Sequence, residues 1–317
     1  MMEREIKVSF IVPLFNEELV FDTLINRLNK FSENIGFLHE FILVDDGSSD
    51  NTAQKMETLG MSDHRYQCVF LSRNFGHQLA VSAGLSHSRA TEAIMILDGD
   101  LQDPPELFRA FYEAFKEGYD VVYGVRAKRK ENFLKRISYY LFYRILQKIS
   151  VTPIHLDSGD FSLISRRVAN IMNSMPEDSR FLRGMRSWIG FKQKGIVYER
   201  ESRAAGQPKY TLLKLFRLAY DGIFNFSYFP LKFLTFAGIS CLLSSFLYFL
   251  ITIIRKYVYN DVPVGFTALL FMIIFFGGIQ LLSIGVLGEY VFRTFLQVKN
   301  RPLFIIRERI EEGKKVL

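Results

Sequence analysis

The sequence is poor in the residues that staple or metallate small proteins. It holds two cysteines, Cys68 in a strand-like run and Cys241 in an apolar run, and such a pair makes no disulfide framework. Its five histidines are scattered without the spacing of a zinc site. There is no internal repeat and no low-complexity tract. A secretory signature is missing too: Met1–Lys7 is polar and charged, and the apolar stretch Val8–Val12 is too short for a signal peptide. The soluble part is therefore expected in the cytosol.

Apolar sequence, by contrast, is abundant. Of 317 residues 49% are hydrophobic, and mean hydropathy is slightly positive. The excess is concentrated in two runs. Leu231–Ile254 carries one charge near its start and Val264–Leu287 carries none; each has about the twenty residues that cross a hydrocarbon core. Two spans return the chain to its starting side, which predicts a multi-pass membrane protein with its soluble part and both termini cytosolic. Lys209, Lys214, Arg217 and Lys232 precede the first run, and Arg293, Lys299, Arg301 and Arg307 follow the second, as the positive-inside tendency asks. Arg255 and Lys256 in the connection make that bias moderate. The formal net charge is +7. Its concentration at Arg126–Arg136 and beside the apolar runs suits lipid headgroups and a phosphate-bearing substrate, and no motif supports nucleic-acid binding.

Residues 6–124 alternate short apolar runs with amphipathic stretches. Strands are expected at Lys7–Val12, Phe41–Val44, Gln67–Leu71, Ala93–Leu97 and Val121–Tyr123. Helices are expected at Glu17–Phe31, with Leu19, Leu24, Ile25 and Leu28 as its apolar face, and at Asp50–Leu59, Gln78–Ser86 and Pro105–Glu117. This order predicts an α/β fold with a mainly parallel sheet covered on both faces, in which ligands sit beyond the carboxyl ends of the strands. Further on, Glu131–Ile149 is an aromatic, basic helical stretch, Ser158–Ile164 a strand, and Arg166–Asn173 and Ser179–Ile189 helices. Tyr210–Phe226 is an amphipathic stretch suited to a membrane surface.

The strand ends carry the chemistry. LDGDLQDPPE, Leu97–Glu106, follows an apolar strand immediately, so Asp98 and Asp100 stand at its carboxyl end and Gly99 lets them turn toward one point. Paired carboxylates suit Mg²⁺ or Mn²⁺, which in turn bind a diphosphate, and Gln102 can add a neutral oxygen. A bare Asp-x-Asp is also an ordinary solvated turn; the buried strand before it is what raises its meaning. VDDGSSDNT, Val44–Thr52, offers Asp45 and Asp46 to a nucleobase and ribose, with Ser48, Ser49 or Asp50 free to cap the next helix. PLFNEE, Pro13–Glu18, ends the first strand in the same manner. Three such loops along one sheet edge make a crevice for a ribonucleotide.

These motifs, with LSRNFGHQLAVSAG, SGDF and the two terminal apolar runs, resemble the bacterial polyisoprenyl-phosphate glycosyltransferases of glycosyltransferase family 2, a group that includes bactoprenol glucosyltransferases and is related to dolichol-phosphate mannose synthase. The resemblance covers nearly the whole chain. It implies a GT-A (Rossmann-like) catalytic domain over residues 1–208, an amphipathic juxtamembrane helix over 209–229, a two-helix transmembrane anchor over 230–292 and a cytosolic tail over 293–317. It implies that Pro13, Phe15, Glu17, Val44 and Asp45 contact base and ribose. Asp98, Gly99, Asp100 and Gln102 then handle metal and diphosphate, Arg126 reaches the nucleotide sugar, Arg203 and Lys209 meet the donor and lipid phosphates, and Asp160 stands near the reacting centre. Many relatives have arginine where Ser162 follows SGDF, which leaves the acceptor-side charge open.

The activity so implied is inverting transfer of one sugar, glucose from UDP-glucose as first choice, to undecaprenyl or another polyisoprenyl phosphate, in a bilayer-bound protein that can form a homotetramer. A phosphate monoester is mostly a dianion at neutral pH and needs no strong base, so Asp160 orients or polarises a reactant. Arg183 and Trp188 in RFLRGMRSWIG either line the acceptor site or form a membrane-facing basic, aromatic surface. His77 reads as a solvated residue opening a helix, Asn74 and Gly76 as loop-shaping, and Glu289 as an interfacial acid. The rival activities are a processive polysaccharide synthase, disfavoured by two spans and no QxxRW motif, and a nucleotide-sugar-binding protein without activity.

Overall fold

The computed structural model describes residues 5–126, 158–177, 180–199, 229–259 and 265–316, which fall into two units. Glu131–Ile149, Tyr210–Phe226, Arg203 and Lys209 lie outside the described residues.

The first unit is a nine-stranded sheet with helices on both faces. Its elements are β1 (Val8–Leu14), α1 (Glu18–Ser32), β2 (His39–Asp45), α2 (Thr52–Ser62), β3 (Tyr66–Leu71), α3 (His77–His87), β4 (Ala93–Ile96), a 3₁₀ turn (Pro105–Leu107) leading into α4 (Phe108–Lys116), β5 (Val121–Arg126), β6 (Ser158–Ser165), α5 (Arg166–Ser174), α6 (Leu182–Ile189), β7 (Gln193–Tyr198), β8 (Ile306–Glu311) and β9 (Lys314–Lys315). The strand order is β7-β5-β6-β4-β1-β2-β3-β8-β9. β4, β1, β2 and β3 form the parallel centre, β6 is inserted antiparallel between β4 and β5, and β8 lies antiparallel to β3 with β9 outside it at the far edge.

The central strands are apolar on both faces because both are covered. Phe10, Phe41, Tyr66, Phe70, Phe108 and Phe161 share one core. Ile11, Ile42, Val44, Val69, Ala80 and Val81 share the other. The small residues of α3 let it lie close to the sheet, and a Cβ on Gly84 would stand 2.4 Å from Ile11 Cγ2. α1 buries Val20, Phe21, Leu24, Ile25 and Leu28, each stabilising by about 1.5–3 kcal/mol when fully removed from water. Leu19, expected on that face, is 85% exposed; at 100° per residue it points opposite Leu28.

The C-terminal residues belong to this unit as well. The 293–317 segment was expected as a tail, yet 306–311 pairs with β3 and 314–315 folds back on it. Arg89 fastens this hairpin: its Nη1 meets Glu311 at 3.1 Å and Glu312 at 2.9 Å, while its Nε meets buried Glu40 at 2.9 Å.

The second unit contains α7 (Phe229–Tyr259) and α8 (Phe266–Lys299), of 31 and 34 residues. Within them Phe233–Thr252 and Phe275–Lys299 have mean hydropathies of 2.0 and 1.5, long and apolar enough to cross a membrane, with none of either stretch buried. The second stretch runs past the uncharged segment ending at Leu287 and takes in Glu289, whose Oε1 accepts from Arg293 Nε at 2.8 Å one turn on.

Candidate active site at the carboxyl ends of the central strands

Three loops leave the parallel strands at one edge and are knitted together. Asn16, at φ 51°, donates its N–H to Ser48 Oγ at 3.0 Å and accepts from Ser49 N at 2.8 Å. Glu17 N donates to Thr52 Oγ1 at 2.9 Å, and Asp46 N donates to Leu14 O at 2.9 Å. Asp50 Oδ1 accepts from Thr52 N at 3.0 Å and so opens α2. Gly47 takes φ 70°, and a Cβ there would lie 2.4 Å from Arg73 C, so only glycine lets the β3–α3 loop approach.

The two aspartates that end β2 have different tasks. Asp46 accepts from Phe75 N at 2.7 Å and Gly76 N at 3.0 Å, which fixes the entry to α3; sequence alone offered it to the nucleotide. Asp45 accepts from Ser48 N at 3.1 Å through Oδ1. Its buried Oδ2 has no hydrogen-bond partner among the described residues. Burial pushes the Asp45 carboxyl above the usual range, against hydrogen bonds from Ser48 and the charge of Arg307.

Asp98 and Asp100 follow β4 as expected. Gly99 packs where a Cβ would meet Leu14 Cδ2 at 2.5 Å and Pro13 O at 3.0 Å, which draws this loop against the end of β1. Gln102 N donates to Asp100 Oδ1 at 3.2 Å. Leu101 is held at φ 61°, and Arg27 from α1 grips the loop through Leu101 O at 3.4 Å and Glu106 at 3.0 and 2.9 Å. Beyond it, buried Asp103 accepts from Tyr198 Oη, and Arg126 sits beside both; burial works against its charge, and Asp103 and Tyr198 outweigh it. Among the described residues no three His, Cys, Asp or Glu side chains form a group able to hold a metal ion.

Asp160 on β6 is the best-held acid. It is 6% exposed and accepts from Arg183 Nε at 2.9 Å, Arg183 Nη2 at 3.2 Å and Gln78 Nε2 at 2.9 Å. His77 Nε2 lies 3.4 Å from Asp160 Oδ2 and 3.7 Å from Asp98 Oδ1, bridging the two acids. Burial disfavours the charged Asp160, but Arg183 and His77 outweigh it and hold this carboxyl well below the usual range. For His77, burial works against protonation; the hydrogen bond to Asp160 and the charges of Asp98 and Asp160 prevail and raise it to about 9. Asp98 goes the other way. Burial, then the charge of Asp103, lifts it to about 7 despite His77.

The structure thus brings Pro13, Phe15, Glu17, Asp45, Asp98, Gly99, Asp100 and Gln102 to neighbouring strand ends, with Arg126 and Asp160 beside them. Val44 has its side chain in the core, leaving only its main chain for a ligand. Arg183 reaches Asp160, while Trp188, on the same helix, is 63% exposed. Ser162, where arginine was missed, is buried and donates to Asp160 O at 2.8 Å. Buried Arg186 supplies positive charge from another direction, donating to Gly159 O at 2.9 Å and Asp160 O at 3.4 Å. Sequence reasoning did not find Gln78 or Arg186, and it gave His77 to solvent; the Asn-Phe-Gly-His turn into a small-residue helix was the available signal.

Residues 9–171 match Glycosyl transferase family 2. Glycosyltransferase YkcC of Bacillus subtilis is 41% identical over 97% of this chain and 95% of its own length. The SfII prophage-derived bactoprenol glucosyl transferase of Shigella flexneri is 38% identical over 95% of this chain and 98% of its own, and a prophage bactoprenol glucosyl transferase homolog of Escherichia coli strain K12 is 37% identical over the same shares. Likeness of this extent takes in the acidic strand ends, the sheet of the GT-A fold and the apolar helices alike, and on it this chain belongs to glycosyltransferase family 2.

Proposed function

We propose that the chain transfers a single glucose from UDP-glucose to undecaprenyl phosphate, with inversion, at the cytosolic face of a bacterial plasma membrane. The observation that carries this reading is the state of Asp160. A buried carboxylate already neutralised by Arg183 and bridged by His77 is a poor proton acceptor, so the site suits an acceptor that needs none. A phosphate dianion is such an acceptor; a sugar hydroxyl calls for a general base. The names of the Shigella and Escherichia relatives, bactoprenol glucosyl transferases, point to the same lipid and sugar.

Asp98 and Asp100, with Gln102, would hold Mg²⁺ or Mn²⁺. The fit rests on the donor set: Asp98, Asp100 and Gln102 all offer oxygen from one short loop that follows β4, as Mg²⁺ and Mn²⁺ prefer. Bound there, the ion would supply Lewis-acid neutralisation of the departing nucleoside diphosphate. Pro13, Phe15, Glu17, Asp45 and the main chain of Val44 would receive base and ribose, and Arg126 the sugar diphosphate. Arg203 and Lys209 would meet the phosphates. Asp160 fixes Arg183 and His77, whose charges offset repulsion between the two anionic reactants.

The connectivity of the chain supports the membrane topology in this reading. The chain leaves the sheet before α7 and rejoins it at β8 after α8, and a chain that returns to its own sheet crosses a bilayer an even number of times. Two crossings by the stretches in α7 and α8 fit that. A homotetramer in detergent, as the family resemblance implies, is read from the solution mass of the purified protein.

The test is a donor screen with purified full-length protein, undecaprenyl phosphate and Mn²⁺ or Mg²⁺, reading lipid product by mass. One hexose per lipid from UDP-glucose supports the reading, and Asp100→Ala should abolish that product while membrane insertion is kept. A polymer, or undiminished turnover by Asp100→Ala, overturns it.

A further inference from the structure

The strand that returns after the two apolar helices carries an unassigned arginine to the crevice. β8 pairs with β3 as Cys68↔Ile310, Val69↔Arg309 and Phe70↔Glu308, and then jumps to Leu71↔Ile306. Arg307 is the extra residue of this bulge. Bulges bend a strand and re-aim a side chain, and they gather beside active sites. Here the Arg307 guanidinium carbon lies 5.9 Å from the centre of the Phe70 ring.

Phe70 is in register with Asp45, and Asp45 with Leu14. Residues in register on neighbouring strands project from the same face, about 4.8 Å apart. The buried Phe70 ring therefore lies between Asp45 on one side and Arg307 on the other, at the carboxyl ends of the parallel strands. Arg307 is exposed and can turn toward a ligand. Four strand spacings, about 19 Å, separate β8 from β4, so Arg307 is too far away to serve the diphosphate end at Asp98 and Asp100. What remains within its reach is the end of the crevice where Asp45 Oδ2 has no hydrogen-bond partner among the described residues.

We propose that Arg307 reads the nucleobase of the donor: Asp45 Oδ2 accepts a ring N–H, and the Arg307 guanidinium donates to the carbonyl next to it. Uracil and guanine present a ring N–H beside a carbonyl. Cytosine and adenine, in their neutral forms, have no ring N–H to give, and they leave Asp45 buried without its partner, a loss that discriminates strongly. The C-terminal strand is then part of the donor site, and the basic residue that sequence assigned to lipid headgroups serves specificity. The inference rests on the reading of this crevice as the nucleotide site, and its test separates the two.

Calorimetry on the full-length protein in detergent, with UDP and CDP as ligands, compares wild type with Arg307→Ala, Arg307→Lys and Asp45→Asn. Arg307→Ala should weaken UDP binding about tenfold or more, the scale of one charge-assisted hydrogen bond, with CDP binding and melting temperature unchanged. Arg307→Lys should recover part of the loss, and in transfer assays the defect should appear in KM for the donor with kcat kept. If Asp45→Asn weakens UDP binding and Arg307→Ala does not, the role of Arg307 is wrong and the crevice reading stands. Equal loss for UDP and CDP in Arg307→Ala also overturns base reading. If neither variant alters UDP binding, the nucleotide crevice itself is misplaced.

Discussion

Arg183 and Asp160 form a two-pronged pair, 2.9 Å from Nε to Oδ1 and 3.2 Å from Nη2 to Oδ2, on a carboxylate that is 6% exposed. The pair joins α6 to β6 and sets the charge of the site. Breaking a buried pair by removing one partner costs about 3–5 kcal/mol, because the other charge stays buried alone.

Arg183→Ala should therefore lower stability, by less than that because Gln78 and His77 still meet Asp160, and abolish transfer. The double variant Asp160→Asn with Arg183→Ala removes both charges of the pair and should regain part of the stability but none of the activity. Thermal melts followed by circular dichroism, beside a radiolabelled transfer assay, separate the two effects. Recovery of activity with recovered stability contradicts a chemical role for the pair.

Gly47 makes a second prediction. Its φ of 70° and the 2.4 Å approach of a Cβ to Arg73 C make Gly47→Ala costly, by about 1–2 kcal/mol for the left-handed backbone alone. The clash adds to this through the loop that leads to His77. A melting temperature lowered by ~3 °C or more, with weaker transfer, is expected; an unchanged melt contradicts the close packing of the two loops.

Arg27 holds the loop after Asp100 from outside, through Glu106 and Leu101 O. Arg27→Ala should raise KM for the nucleotide sugar about tenfold, since small displacements of positioning groups are expensive. Steady-state kinetics at saturating lipid acceptor would read it.

Glu92 provides a pH-dependent term far from the acids of the site. Burial raises its carboxyl, but Lys116, Tyr112 and Lys7 together bring it down to about 2. A folded-state value below the ordinary one stabilises the fold above about pH 4.5, and this contribution is lost as pH falls toward 2. Glu92→Gln should thus be less stable than wild type at neutral pH, with the gap closing on acidification. Melts across that range check it, and a gap that widens at low pH contradicts the assignment.

The sequence made the parallel half of the fold legible because β1 to β4 are short apolar runs separated by helix-length stretches, and the strand ends carry Asp45, Asp98 and Asp100. The far strands were harder to see. β8 reads Ile-Arg-Glu-Arg-Ile, an alternation that looks like a basic tail until β3, more than two hundred residues earlier, is known to lie beside it. His77 looked solvated because the acids that surround it, Asp98 and Asp160, arrive from β4 and β6. Asp46 looked like a ligand contact because nothing local reveals that Phe75 and Gly76 N–H groups occupy it. Arg203 and Lys209 rest on the family resemblance alone.

The central claim is that the acceptor is already an anion and no group in the site acts as its base. The most direct measurement offers wild-type protein UDP-glucose with undecaprenyl phosphate or, separately, with the uncharged polyprenol, and reads the linkage by ³¹P and ¹³C NMR. The account predicts product only from the phosphate, with a phosphodiester at the anomeric carbon in the β configuration. Glucose on the free alcohol, an α linkage, or a second sugar on the first would contradict it.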